Sequence, residues 1–180
     1  MNNTGTQQLA ISALAQNGEQ ALRKLAEQAA QSGCNLVEAR AIPTGDRTTV
    51  VLLADGTWDA LVRLERALPR LGEQIAAEVF STRVKPAPNF DRRIPYAVDL
   101  SSADKPGVLS GLIEFFASRD ILIMELTARA YPAAHTGAPM FMVQMNVGLP
   151  QDMHIAGIRE EFMDFCDNAN LDAILEPIKS

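Results

Sequence analysis

Two hydrophobic rhythms alternate along the chain, one of period two and one of period three to four, and their order predicts the elements. QLAISALA, near the start, reads as a short strand. EQALRKLAEQAAQSG follows as an amphipathic helix with Leu22, Leu25, Ala26 and Ala29 on one face. NLVEARAI and RTTVVLLA are strand-like runs separated by PTGD, whose Pro, Gly and Asp are turn residues. A second helix is predicted from Thr57 to Leu68, with Trp58, Leu61, Leu64 and Leu68 at helical spacing. In this reading Trp58 is a core residue and Pro69 stops the helix. EQIAAEVFSTRV closes the half as a strand.

KPAPNFDRR then concentrates proline and charge without periodicity, as a short linker does. After it the order recurs. IPYAVDLSS reads as strand, VLSGLIEFFASR as helix, ILIMELTARAY and APMFMVQMNVG as paired strands, DMHIAGIREEFMDFCDN as helix and LDAILEPI as strand. Ile155, Ile158, Phe162 and Phe165 form the apolar face of the last helix. Each half is thus βαββαβ, and a constant offset of 87 residues places Val98 on Ile11, Leu112 on Leu25 and Glu125 on Glu38. The expected fold is α+β: two tandem ferredoxin-like units, each an antiparallel sheet with both helices on one face. The expected boundaries are 1–83 and 94–180, with 84–93 as linker. Each sheet would carry an exposed edge strand, so two sheets either join edge to edge or pack through their helices.

Composition narrows the chemistry. With 180 residues and 47% hydrophobic content the chain has material for one large domain or two small ones. A net charge of −6 and the lack of a basic stripe argue against direct nucleic-acid binding, which needs clustered Lys and Arg. MNNTGTQQLAISALA has no charged n-region followed by a long apolar run, and no segment approaches the roughly 20 apolar residues of a membrane span, so a cytoplasmic protein is expected.

Cys34 and Cys166 belong to no CxxC or Cys/His cluster and are expected to be reduced, structural thiols. His135 and His154 are equally isolated, and no metal or cofactor is expected. Nor is an enzyme, since no nucleophile–base pair, phosphate loop or paired carboxylates can be recognised. Met140, Met142 and Met145 read as core filling, and Glu160, Glu161, Asp164 and Asp167 as the solvated side of the last helix.

One loop stands out. In DKPGVL, Asp104, Lys105, Pro106, Gly107, Val108 and Leu109 join the strand IPYAVDLSS to the helix that follows. Proline has no N–H to waste at a helix start, and glycine lets another group approach the backbone. A helix N-terminus offers free N–H groups at the positive end of its dipole, so Gly107, Val108 and Leu109 suit a carboxylate. Asp104 suits an ammonium. The alternative is that Asp104 and Pro106 only cap a helix.

D-[KR]-P-G-V-L at the first strand-to-helix turn of such a unit resembles the ACT domain, a small regulatory module that senses amino acids. The tandem arrangement, SGCNLVEAR and LLADGTWDALVRLERALP narrow the resemblance to the glycine cleavage system transcriptional repressor family, over roughly Gln7 to Ile178. The resemblance implies two ACT domains without a DNA-binding module, restraining a LysR-type transcriptional activator in a glycine-dependent way. The first half departs from the loop pattern, because Asn17, Gly18, Glu19 and Gln20 stand where the offset places Asp104 to Gly107. In ACT domains an Asn early in the second strand often completes the amino-acid site. Asn35 holds that place in the first half and Leu122 in the second. The resemblance therefore suggests a composite site, with the Asp104 loop facing the Asn35 strand of the other domain or of another chain. A turn role after Gly33 is the alternative for Asn35. A homodimer is expected. The rival functions are a free-standing regulatory subunit of a metabolic enzyme and an interaction scaffold.

Overall fold

The computed structural model describes residues 7–86 and 93–178, and the chain divides into two compact units, 1–88 and 89–180. The expected linker, 84–93, falls largely on residues 87–92, outside the described residues. The first unit contains β1 (Gln8–Ala15), α1 (Gly18–Gln31), β2 (Asn35–Thr44), β3 (Arg47–Asp55), α2 (Trp58–Gln74) and β4 (Ala77–Val84). The second contains β5 (Arg93–Ala103), α3 (Val108–Ala117), β6 (Leu122–Pro132), β7 (Pro139–Pro150), α4 (Ile155–Ala169) and β8 (Asp172–Pro177).

Each unit is one four-stranded antiparallel sheet, ordered β2-β3-β1-β4 and β6-β7-β5-β8. The central strands impose the layout. Leu9, Ile11 and Ala13 point to one side of β1 and are buried, as are Val50, Leu52 and Ala54 on β3, because alternate side chains share a face. Ala21, Leu25 and Ala29 of α1 and Leu61, Leu64 and Leu68 of α2 close that core. The second unit repeats this with Tyr96, Val98 and Leu100 beneath α3 and α4. Its core is aromatic where the first is small. Phe116 occupies the place that the offset gives to Ala29, and Phe115 lies 5.2 Å from Phe116 and 5.4 Å from Phe162 in edge-on geometry.

The repeat extends to an irregularity: β2 slips register between Leu36 and Glu38, and β6 slips between Ile123 and Glu125, the same place in each unit. A bulge of this kind adds one residue and bends the strand.

Four expectations need correction. Pro69 does not stop α2, which runs on to Gln74 with the proline inside it. A proline there removes one helical hydrogen bond, but Leu71, Gly72 and Ile75 are buried beyond it, and their burial keeps the last turns helical. Consequently the strand expected from EQIAAEVFSTRV begins only at Ala77. Trp58 is not core: as the first residue of α2, on its solvent side, it is 67% exposed. Of the three methionines only Met145 lies in the core, since Met140 and Met142 project from the opposite face of β7.

Both cysteines are free, and burial pushes the thiol of Cys34 up and that of Cys166 up to about 11. Such thiols carry little thiolate at neutral pH.

Phe116→Ala should destabilise the second unit by about 3–5 kcal/mol, because a buried ring leaves a cavity. Trp58→Ala should change stability by no more than about 0.5 kcal/mol, as surface substitutions do. Urea titrations followed by circular dichroism separate the two expectations. A Trp58 effect as large as that of Phe116 would place the indole inside.

Candidate functional site

The two strand-to-helix turns are built from different residues, and the difference decides which helix start is open. In the first unit α1 begins at Gly18, and Asn17 caps it: its Oδ1 accepts a hydrogen bond from the Gln20 N–H at 2.9 Å. The Ala21 N–H donates to the Asn17 carbonyl at 3.0 Å and closes the first turn. This start is crowded as well. A Cβ on Gly18 would fall 2.4 Å from Oγ1 of Thr48, so β3 lies directly over it.

In the second unit the offset places Lys105 opposite Gly18, yet α3 begins only at Val108. The Pro-Gly pair therefore stands where the first unit has a helical turn. Proline fixes its own φ, and Gly107 follows at φ 94°, a left-handed conformation that costs glycine nothing. Gly107 is the N-cap and has no side chain with which to cap. A Cβ there would meet nothing within 4 Å.

The first ladder bond of α3 runs from the Gly111 N–H to the Gly107 carbonyl at 2.9 Å, and the Ser110 hydroxyl donates to the same carbonyl at 3.1 Å. The N–H groups of Val108, Leu109 and Ser110 precede that bond and have no acceptor within the helix. One fixed contact orients the loop: the Asp104 N–H donates to the carbonyl of Pro139 at 3.0 Å and ties the end of β5 to the start of β7.

Asp104, Lys105, Pro106 and Gly107 are exposed, while Val108 and Leu109 are partly buried and pack their side chains against the second core. The Asp104 carboxylate makes no hydrogen bond or ion pair among the described residues. It is therefore not the helix cap that one reading of the sequence allowed. The loop thus brings together an unengaged carboxylate and the uncapped N–H groups of α3.

Asn35 belongs to the first unit, where it opens β2 opposite Asp55 and is exposed. The turn before it is made by Gly33 at φ 79°, whose N–H donates to the Ala30 carbonyl at 3.0 Å. The Cys34 N–H donates to the Ala29 carbonyl at 2.9 Å. Asn35 takes no part in those bonds.

The sequence reading missed a second polar cluster. On the face of the second sheet away from its helices, Asp99, Glu125, Thr127, Gln144 and Asn146 line a cavity of about 300 Å³. Gln144 Nε2 donates to Asp99 at 3.1 Å, and Asn146 Nδ2 donates to Glu125 at 3.2 Å. The signal was available in the alternation of β5 and β7, whose polar residues fall between the apolar ones that the helices cover. Among the described residues, no group of three or more His, Cys, Asp or Glu side chains is placed to hold a metal. Among the described residues, no helix is long and apolar enough to cross a membrane.

Residues 7–82 match the family model of the ACT domain. Over 162 residues the chain is 24% identical to the glycine cleavage system transcriptional repressors of Escherichia coli (strain K12) and Shigella flexneri, which covers 90% of this chain and 85% of each relative. A crystal structure of a protein described as a glycine cleavage system transcriptional repressor superposes with a TM-score of 0.74 at 24% identity, over 97% of this chain and 99% of the other. That of a protein from Galdieria sulphuraria superposes with a TM-score of 0.75 at 16% identity, over the same shares. The chain is therefore built of two tandem ferredoxin-like domains, the first of which matches the ACT-domain model, and is similar, over most of its length, to glycine cleavage system transcriptional repressors.

Proposed function

We propose that the protein is an amino-acid-responsive regulator, a glycine cleavage system transcriptional repressor that acts by binding a LysR-type activator rather than DNA. The observation that carries the amino-acid part is the uncapped start of α3. Asn17 closes the corresponding helix in the first domain with its own side chain, whereas Gly107 leaves α3 open next to an unengaged Asp104.

An amino-acid carboxylate satisfies the free N–H groups of Val108 and Leu109 and lies at the positive end of the helix dipole. Asp104 accepts from the ammonium. Glycine suits such a place because it offers both charged groups with no side chain to accommodate. Lys105 and Pro106 shape the loop, and Asn35, from the first domain of this chain or of another chain, supplies a further polar contact.

The regulatory part is supported by the similarity to repressors over 90% of the chain. Action through a protein partner is supported by the net charge of −6, since an acidic chain gains little from phosphate contacts. This reading makes the chain a regulator rather than an enzyme.

Asp104→Ala and Asn35→Ala should each weaken glycine binding about ten- to hundredfold, the loss expected for a hydrogen bond to a charged group. The fold should tolerate both, because neither side chain is buried. Isothermal calorimetry on the folded variants reads this directly. Unchanged affinity in both removes the assigned site, and no heat from any common amino acid at millimolar concentration, with the activator present, removes the ligand altogether.

The purified protein alone should leave promoter fragments unshifted at physiological salt and should retard them further only when the activator is bound. A specific shift by the protein alone would overturn action through a partner.

A further inference from the structure

Arginines cluster on one side of a chain whose net charge is negative. Arg63, Arg66 and Arg70 follow one another at spacings of three and four residues on α2 and so form a single short stripe, against the expectation from sequence that the chain has no basic stripe. They line a groove of about 470 Å³ against α1, with Ala67 and Leu71 at its floor and Gln28 on the far wall. No acidic residue lines it. Arg63 donates one bond to the Ser32 carbonyl at 2.9 Å, and Glu65, the nearby carboxylate on α2, is taken by Arg83 at 3.0 Å. Among the described residues, none of the three arginines has an acidic partner.

The complementary row is on α4. Glu160, Asp164 and Asp167 follow one another at spacings of four and three residues, are exposed, and have no basic partner among the described residues. Arg159 on the same helix and Arg119, which reaches it from just beyond α3, are engaged elsewhere. Arg159 donates to the Leu175 carbonyl at 3.0 Å, and Arg119 pairs with Glu161 at 2.8 Å.

Read antiparallel, the two rows coincide. Such an alignment sets Arg63 against Asp167, Arg66 against Asp164 and Arg70 against Glu160, because both rows then step by three and then four residues. The same register sets Met163, which is 52% exposed, opposite Ala67 on the groove floor.

We infer that the α2 groove is a docking surface for a second copy of this chain, entered antiparallel by the acidic face of that copy's α4. Matched charges give the contact its register and speed of encounter, and Met163 entering the groove supplies apolar burial. Single exposed ion pairs contribute little, so the matched row acts as a set. Salt weakens it, since the pairs lie at the surface.

Sedimentation of the full chain tests this. The unmutated protein should self-associate at micromolar concentration, less so in 1 M salt. R66E/R70E in one variant and E160R/D164R in another should each weaken association by about tenfold or more, because like charges then face each other. An equimolar mixture of the two variants should recover it, because their reversed rows match. Circular dichroism verifies that both variants are folded. A monomeric unmutated chain, reversed variants that associate as the original does, or a mixture no more associated than its components would each overturn the inference.

Discussion

Each sheet can bury only one of its faces, and the rest of the structure depends on how that face is covered. A four-stranded antiparallel sheet leaves half its side chains in water unless helices lie across them. In β1 the buried set is Leu9, Ile11 and Ala13, and in β5 it is Tyr96, Val98 and Leu100. Each large aliphatic side chain taken fully from water contributes about 1.5–3 kcal/mol, which is enough in sum to hold two helices on that side. The helices must then enter and leave at fixed ends of the sheet. That requirement places the Asp104 loop at the end of the central strand β5, beside the start of β7.

Within this shared frame the two domains have diverged in ways that bear on function. The first fills its core with small and branched aliphatic residues and closes its first helix with Asn17. The second fills its core with phenylalanines and starts α3 late, on a glycine that cannot cap. A capped helix start has already given its donors to its own chain, and an uncapped one retains them for something else. Among the described residues, α1, α2 and α4 each start on a side-chain cap and α3 does not.

The faces opposite the helices also differ in character. In the first domain that face exposes Ile42, Val51 and Phe80, the last at 68%. In the second it carries the Asp99 and Glu125 cluster, whose members bond to Gln144 and Asn146, beside Met140, Met142 and a half-exposed Ile174. A polar face of this kind satisfies itself with cross-strand hydrogen bonds, whereas apolar side chains left in water mark a surface that gains by being covered. The two domains thus present different surfaces on one architecture.

The sequence by itself determined the alternation of elements and their duplication, because hydrophobic period is a local property that each segment states for itself. The candidate loop was legible for the same reason: Pro106 and Gly107 act on their own backbone. The paired bulges before Glu38 and Glu125 came only from the structure, since a register slip depends on the neighbouring strand. Only the tertiary structure decided the fate of Pro69, which ends a helix on local rules but sits inside α2 because Leu71 and Ile75 are buried beyond it. Only it turned Trp58 outward, and only it decided that the Met145 face of β7, rather than the Met140 and Met142 face, is the covered one. It also reserved Arg63, Arg66 and Arg70 for a groove, since which face of a helix meets a neighbour is a property of the packed domain and not of the helix. Long-range packing outweighs local preference wherever the burial gained exceeds the one hydrogen bond or rotamer that is lost.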